Sequence, residues 1–121
     1  MSDKLLIVDD SSFSRRMIKR ALPETWSVEL TEAGDGIEAL EKCKETEFNY
    51  IFLDITMPEM DGIEVLQHLK AIEYKARVYV ISADIQDAIR EEALELGAIT
   101  FIPKPITTEQ LETFLNKEGV L

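Results

Sequence analysis

Five short apolar runs, each followed by a stretch of helical spacing, leave this chain very few ways to fold. The runs are Leu5-Leu6-Ile7-Val8, Ser27-Val28-Glu29-Leu30-Thr31, Tyr50-Ile51-Phe52-Leu53, Val78-Tyr79-Val80-Ile81 and Ile99-Thr100-Phe101-Ile102. The first, third and fourth are nearly unbroken and rich in β-branched or aromatic residues, which suits parallel strands covered on both faces. The second alternates, as a strand with one more exposed face does. The fifth runs into Pro103, which removes a ladder donor and predicts an edge position.

Helical patterns fill the gaps. Phe13, Met17 and Ala21 recur at a spacing of four; Ile37, Leu40 and Cys43 share a face, as do Ile63, Leu66 and Leu69. Ile85, Ala88, Ile89 and Leu96 line a fourth helix, and Leu111, Phe114 and Leu115 a fifth. Asp35 and Asp84 stand where the second and fourth helices should start, Thr107 with Gln110 has capping-box spacing, and Gly97 suits a helix end. Strict strand–helix alternation with right-handed crossovers gives an α/β fold, a parallel sheet with helices on both faces. No boundary, repeat or low-complexity tract divides the chain, so residues 1–121 are expected to form one domain. In such sheets the ligand site lies at the carboxyl ends of the strands.

Those ends carry Asp9-Asp10-Ser11-Ser12, Asp54-Ile55-Thr56, Ser82-Ala83-Asp84 and Pro103-Lys104-Pro105. One edge of the sheet therefore gathers three carboxylates, small hydroxyls and a lysine. The formal net charge of −11 opposes binding to nucleic acid or to anionic lipid, both of which need a basic face. That acidity serves solubility, or is concentrated in part at a cation site. Cys43 is the only cysteine and His68 the only histidine, so zinc chemistry and a Ser-His-Asp triad have little to stand on. His68 reads as a helix-surface residue. The run at residues 5–8 is too short for a signal peptide or a membrane span, and no other segment is long enough; a cytoplasmic protein is expected.

Three neighbouring acids repel one another and hold their protons unless a cation is present. Mg²⁺ relieves this with hard oxygen ligands and retained waters, and Asp9, Asp10 and Asp54 are donors of that kind. Asp9 and Asp10 also have a structural reading as caps of the first helix, but capping takes one acid and leaves Asp54 unexplained. Lys104 supplies a second cation, useful when a phosphoryl group brings in negative charge. Ser82 could donate its hydroxyl to that group. No Gly-rich phosphate loop is visible, so a nucleotide held by this chain is not the expected donor. Asp54, ending the central strand, is the candidate nucleophile for an acyl phosphate.

The blocks Leu6-Ile7-Val8-Asp9-Asp10, Leu53-Asp54-Ile55-Thr56-Met57-Pro58-Glu59-Met60-Asp61-Gly62, Ile81-Ser82-Ala83 and Lys104-Pro105, in this order and spacing, resemble response regulator receiver domains of two-component (phosphorelay) systems. The resemblance spans essentially the whole chain; the chemotaxis regulators are the standalone form of that domain, and a standalone regulator of that kind is expected. It implies a flavodoxin-like (βα)5 doubly wound sheet with strand order 2-1-3-4-5. It implies that a partner histidine kinase phosphorylates Asp54. Mg²⁺ would be held by the Asp10 and Asp54 carboxylates and the Thr56 backbone carbonyl, with Asp9 acting through water. The loop after the third strand ends at Gly62, which suits a backbone demand. The Lys104–Pro105 bond is expected to be cis. Ser82 and Phe101 are the expected switch pair: the hydroxyl moves toward the phosphoryl group and the ring swings inward. Where the family often has tyrosine, Phe101 has no phenol for a partner to use. Thr56 and Asp84 are expected to tune the lifetime of the acyl phosphate. Output is expected through the face of helix four, strand five and helix five onto an effector protein, with a phosphatase as a further partner.

Two alternatives stand beside a standalone regulator. One is the receiver piece of a longer regulator. The other is a phosphatase of the haloacid dehalogenase type, which wants a DxDx[TV] motif that Asp9-Asp10-Ser11 does not supply.

Overall fold

The computed structural model describes residues 3–57, 60–83 and 86–121. In chain order the elements are β1 (Asp3–Val8), α1 (Ser12–Ala21), β2 (Val28–Ala33), α2 (Gly36–Glu45), β3 (Tyr50–Leu53), α3 (Gly62–Ala71), β4 (Arg77–Ser82), α4 (Asp87–Glu95), β5 (Thr100–Pro103) and α5 (Thr108–Lys117). The strands pair in parallel in the order β2-β1-β3-β4-β5, the flavodoxin-like order expected. β5, which ends on Pro103, lies at one edge and the alternating β2 at the other.

The central strands bury both faces, one residue to each side in turn. Leu6, Val8, Ile51, Leu53, Val78 and Val80 point into a layer closed by Ala39 and Cys43 of α2, Val65, Leu66 and Leu69 of α3, and Ala93 of α4. Leu5, Ile7, Phe52, Tyr79 and Ile81 point the other way, onto Ile18 and Ala21 of α1 and Leu111 and Leu115 of α5. This is why these runs carry no polar alternation: neither face meets water.

The helix faces depart from the sequence pattern in three places. In α1, Phe13 is 67% and Met17 42% exposed, and Ile18 joins Ala21 in the core instead. In α2, Cys43 and Leu40 turn inward while Ile37 stays exposed. In α4, Ala88 faces solvent, and Ala93 is the buried residue. The helix begins at Asp87 with Gln86 at its N-cap and no side-chain cap bond, later than the start expected at Asp84. Asp84 and Ile85 lie outside the described residues, as do Pro58 and Glu59 of the loop after β3.

Other termini follow their chemistry. Asp35 caps α2 through the Glu38 N–H, and Thr107 with Gln110 forms a complete capping box on α5. Gly97 closes α4 at φ 107°, with its own N–H on the Leu94 carbonyl and the Ala98 N–H on that of Ala93. That bond pair is a Schellman closure, which a residue with a Cβ adopts only under strain. His68 is exposed on α3. No helix among the described residues is long and apolar enough to cross a membrane.

Tyr79 is the exception in the core. It is fully buried and meets Phe52 edge-on at 5.8 Å, yet its hydroxyl has no hydrogen-bond partner among the described residues. Burial pushes its phenol above the ordinary value, opposed by the nearby Arg77 guanidinium. Tyr79→Phe is therefore expected to leave urea-unfolding stability unchanged or raise it by up to about 1 kcal/mol, because a desolvated, unpaired hydroxyl is lost. A loss of about 1 kcal/mol, the usual result when a bonded hydroxyl is removed, would show that the group is paired.

Candidate functional site

Strand register builds the site. Val8 stands opposite Leu53, and Leu53 opposite Val80. The residues that follow β1 and β3, Asp9 and Asp54, therefore emerge side by side from the middle of the sheet. Backbone bonds continue the ladder past the strand ends: Asp54 N–H donates to the Val8 carbonyl at 2.9 Å, and Asp9 N–H to that of Ala33 at 3.1 Å. On the other side Ser82 pairs with Pro103, and the Lys104 N–H donates to the Ser82 carbonyl at 3.0 Å. Four residues from four strand ends meet because the strands are in this order and register.

Asp9 is buried and fully engaged. Its Oδ1 accepts from the Ser11 N–H at 2.9 Å, and its Oδ2 from Ser14 Oγ at 2.6 Å and Lys104 Nζ at 2.7 Å. The Lys104 ammonium is also 3.5 Å from Asp54 Oδ2. Asp54 is 4% exposed, and its Oδ1 accepts from the Thr56 N–H and Thr56 Oγ1, both at 3.2 Å. Burial pushes the Asp54 carboxyl above its ordinary value; the Asp9 charge adds to this, while Lys104, the Thr56 N–H and the Ser82 hydroxyl oppose it. Ser82 is wholly buried at the end of β4.

Asp10 is exposed, yet one carboxylate oxygen each of Asp9, Asp10 and Asp54 can be chosen so that all lie within 4.8 Å of one another. Three hard oxygens, two of them on nearly buried carboxylates, suit a small divalent cation such as Mg²⁺. Neither acid caps α1. That role falls to Ser11, whose Oγ accepts from the Ser14 N–H at 3.1 Å.

The floor of the site leaves no room behind Asp54. A Cβ on Gly62, the first residue of α3, would stand 2.6 Å from the Asp54 carbonyl oxygen and 2.7 Å from Ile55 Cα. The backbone demand expected at Gly62 is thus one of close approach rather than unusual dihedrals. Phe101 lies inward and 4% exposed, packed in the layer under α2, α3 and α4. The Lys104–Pro105 peptide is cis. Asp84 lies outside the described residues.

Sequence reading missed Ser14 and Arg15. Ser14 donates to Asp9, and Arg15 donates from Nη1 to the Asp9 backbone carbonyl at 2.6 Å. The available signal was position: both lie in the first turn of a helix that starts directly after an acid pair, where side chains can reach back to the strand end.

The chain matches the response regulator receiver domain over residues 5–116. It is 40% identical to the chemotaxis protein CheY of Bacillus subtilis, over 97% of this chain and 98% of that one. It is 39% identical to CheY of Thermotoga maritima over the same shares. Among solved structures it superposes on CheY4 of Vibrio cholerae with a TM-score of 0.84 at 29% identity, covering 100% of both chains. A chain from the CheX–CheY–BeF3–Mg²⁺ complex of Borrelia burgdorferi gives a TM-score of 0.87 at 34% identity, covering 98% of this chain and 90% of that one. The chain belongs to the response regulator receiver domain family, the receivers of two-component signal transduction.

Proposed function

We propose that Asp54 accepts a phosphoryl group from the phosphohistidine of a partner kinase, and that residues 1–121 act as one CheY-like cytoplasmic switch. The observation that carries this reading is the unequal fate of the two buried acids. Both oxygens of Asp9 are held by short hydrogen bonds, whereas Asp54 has Thr56 on one oxygen at 3.2 Å, Lys104 at 3.5 Å from the other, and the Ser82 hydroxyl on the carboxylate. Asp9 is built to stay; Asp54 is placed to react.

An Asp54 oxygen attacks phosphorus, the P–N bond to the imidazole breaks, and the leaving nitrogen takes up a proton. The product is an acyl phosphate on Asp54. Lys104 neutralises part of the charge that arrives, and the Ser82 hydroxyl donates to a phosphoryl oxygen. Asp10, Asp54 and the Thr56 carbonyl would hold Mg²⁺, with Asp9 acting through a bound water. When bound, the ion offsets charge on the phosphoryl oxygens. On this reading the chain catalyses only its own phosphorylation and dephosphorylation. Thr56, and Asp84 outside the described residues, would set the lifetime of the acyl phosphate by their access to the attacking water.

Ser82 is proposed to shift toward the phosphoryl group and to favour the inward placement of Phe101. The signal then reaches an effector through the α4–β5–α5 face, and a phosphatase would reset it. The Borrelia burgdorferi CheY crystallised with CheX, BeF3 and Mg²⁺ supports a site of this kind and a protein partner.

Incubation with acetyl phosphate and Mg²⁺, read by intact-protein mass, is expected to give a singly phosphorylated protein. EDTA should abolish the adduct. Phosphorylation that proceeds undiminished in EDTA would remove the metal from the account.

A further inference from the structure

We propose that Arg15 is a positioning residue for the Mg²⁺ site, clamping the Asp9–Asp10 peptide so that the Asp10 carboxylate is aimed at the ion. This rests on the reading of the acidic pocket given above.

The three acids of the pocket are held very differently. Asp9 is fixed by three donors, and Asp54 by Thr56, Ser82 and the nearby Lys104. The Asp10 side chain is exposed and makes no hydrogen bond or ion pair among the described residues. Its aim is therefore set by the backbone that carries it. The Asp9 carbonyl belongs to the planar peptide that joins Asp9 to Asp10, so holding that oxygen holds the plane in which the Asp10 nitrogen and Cα lie and limits where its carboxylate can reach. Arg15 Nη1 holds it at 2.6 Å.

Arg15 is itself held. Its Nε donates to Glu32 Oε1 at 2.8 Å, and Lys19 Nζ takes Glu32 Oε2 at 2.9 Å. The side chain is 19% exposed. The hydrogen bond from Lys19 is the largest influence on the Glu32 carboxyl; burial opposes it, and the Arg15 bond adds to it, so the carboxyl lies below its ordinary value. A guanidinium holds two acceptors at a fixed angle, which an ammonium cannot do. Glu32 is shared between Arg15 and Lys19, so the group keeps a net positive charge near the pocket.

That charge gives the test its sign. Removing Arg15 deletes a cation near the site, and by Coulomb's law alone Mg²⁺ should then bind more tightly. Loss of the clamp predicts the reverse. Isothermal titration of Mg²⁺ into the full chain should show R15M binding about tenfold more weakly, the lower end for losing a group that orients a metal ligand. R15K, with charge kept and fork lost, should show a smaller loss in the same direction. A merely structural role would lower Tm and leave Mg²⁺ affinity unmoved. R15M binding Mg²⁺ as tightly as the wild type, or more tightly, overturns the proposal. If R15M does not fold by circular dichroism, unchanged affinity in R15K overturns it. A wild type that binds no Mg²⁺ would overturn the reading of the pocket itself, a result distinct from a binding wild type matched by its variants.

Discussion

Asp54→Asn is expected to give a protein that takes no phosphoryl group and yet unfolds at a higher temperature than the wild type in Mg²⁺-free buffer at neutral pH. The amide is no nucleophile for phosphorus, so the first effect is complete. The second follows from burial. The folded protein holds the Asp54 carboxyl above its ordinary value chiefly through desolvation, and the Asp9 charge adds to this. A carboxyl raised in the folded state binds its proton more tightly there than in the unfolded chain. Its stabilising contribution is full below the unfolded-state pKa, is lost as pH rises through the folded-state value, and stays lost at neutral pH. The asparagine carries no such penalty. The gain should be about 0.5–2 kcal/mol, the size common for a single stabilising substitution. It should shrink as pH falls into the carboxylate range. Mg²⁺ should narrow the difference by adding about 1.4 kcal/mol to the wild type at ten times its Kd, and little to the variant, reversing the order where the variant's lead is below that value. A variant less stable than the wild type without Mg²⁺ would show that ionised Asp54 helps hold the fold.

Lys104→Met is expected to act in the opposite direction and more strongly. Lys104 Nζ is 2.7 Å from Asp9 Oδ2 and 3.5 Å from Asp54 Oδ2, and the two carboxylate side chains are 1% and 4% exposed. Without it, two buried acids face each other with no cation between them. Breaking a buried pair by removing one partner costs about 3–5 kcal/mol. Ser14 Oγ and the Ser11 N–H still hold Asp9, and Lys104 is itself partly exposed, so a loss of roughly 2–4 kcal/mol in Mg²⁺-free urea unfolding is expected. Added Mg²⁺ should restore part of it, since the ion can occupy the space between the acids. A loss below about 0.5 kcal/mol would place the pair among ordinary surface bridges.

The two predictions differ in sign because the pocket is a compromise. It gathers charge that the fold would be more stable without, and one lysine makes this tolerable until a cation arrives. Activity and stability are opposed at Asp54 and aligned at Lys104.

Much of this was legible before any coordinates. The unbroken runs of β1, β3 and β4 announced strands buried on both faces, and Pro103 announced an edge. Once the strands were parallel, their carboxyl ends named Asp9, Asp54, Ser82 and Lys104. What was not legible has two physical sources. A spacing of four fixes a stripe on a helix but not which stripe meets the sheet. In α1 the Phe13–Met17 side of the stripe faces outward because the packing of β1 and α5 turns Ile18 and Ala21 inward. The other source is contact with backbone. The Arg15 partner is a carbonyl oxygen that every residue possesses, and its Glu32 anchor lies beyond the end expected for β2. No residue pattern records either.

The side chain that carries the phosphoryl group can be identified directly. Borohydride reduction of the acetyl phosphate-treated protein, followed by peptide mass spectrometry, converts an aspartyl phosphate into homoserine at its own position. The prediction is homoserine at Asp54 alone, formed only with Mg²⁺ and absent from the Asp54→Asn variant. Homoserine at Asp9 or Asp10 in the wild type, or none anywhere, would contradict it.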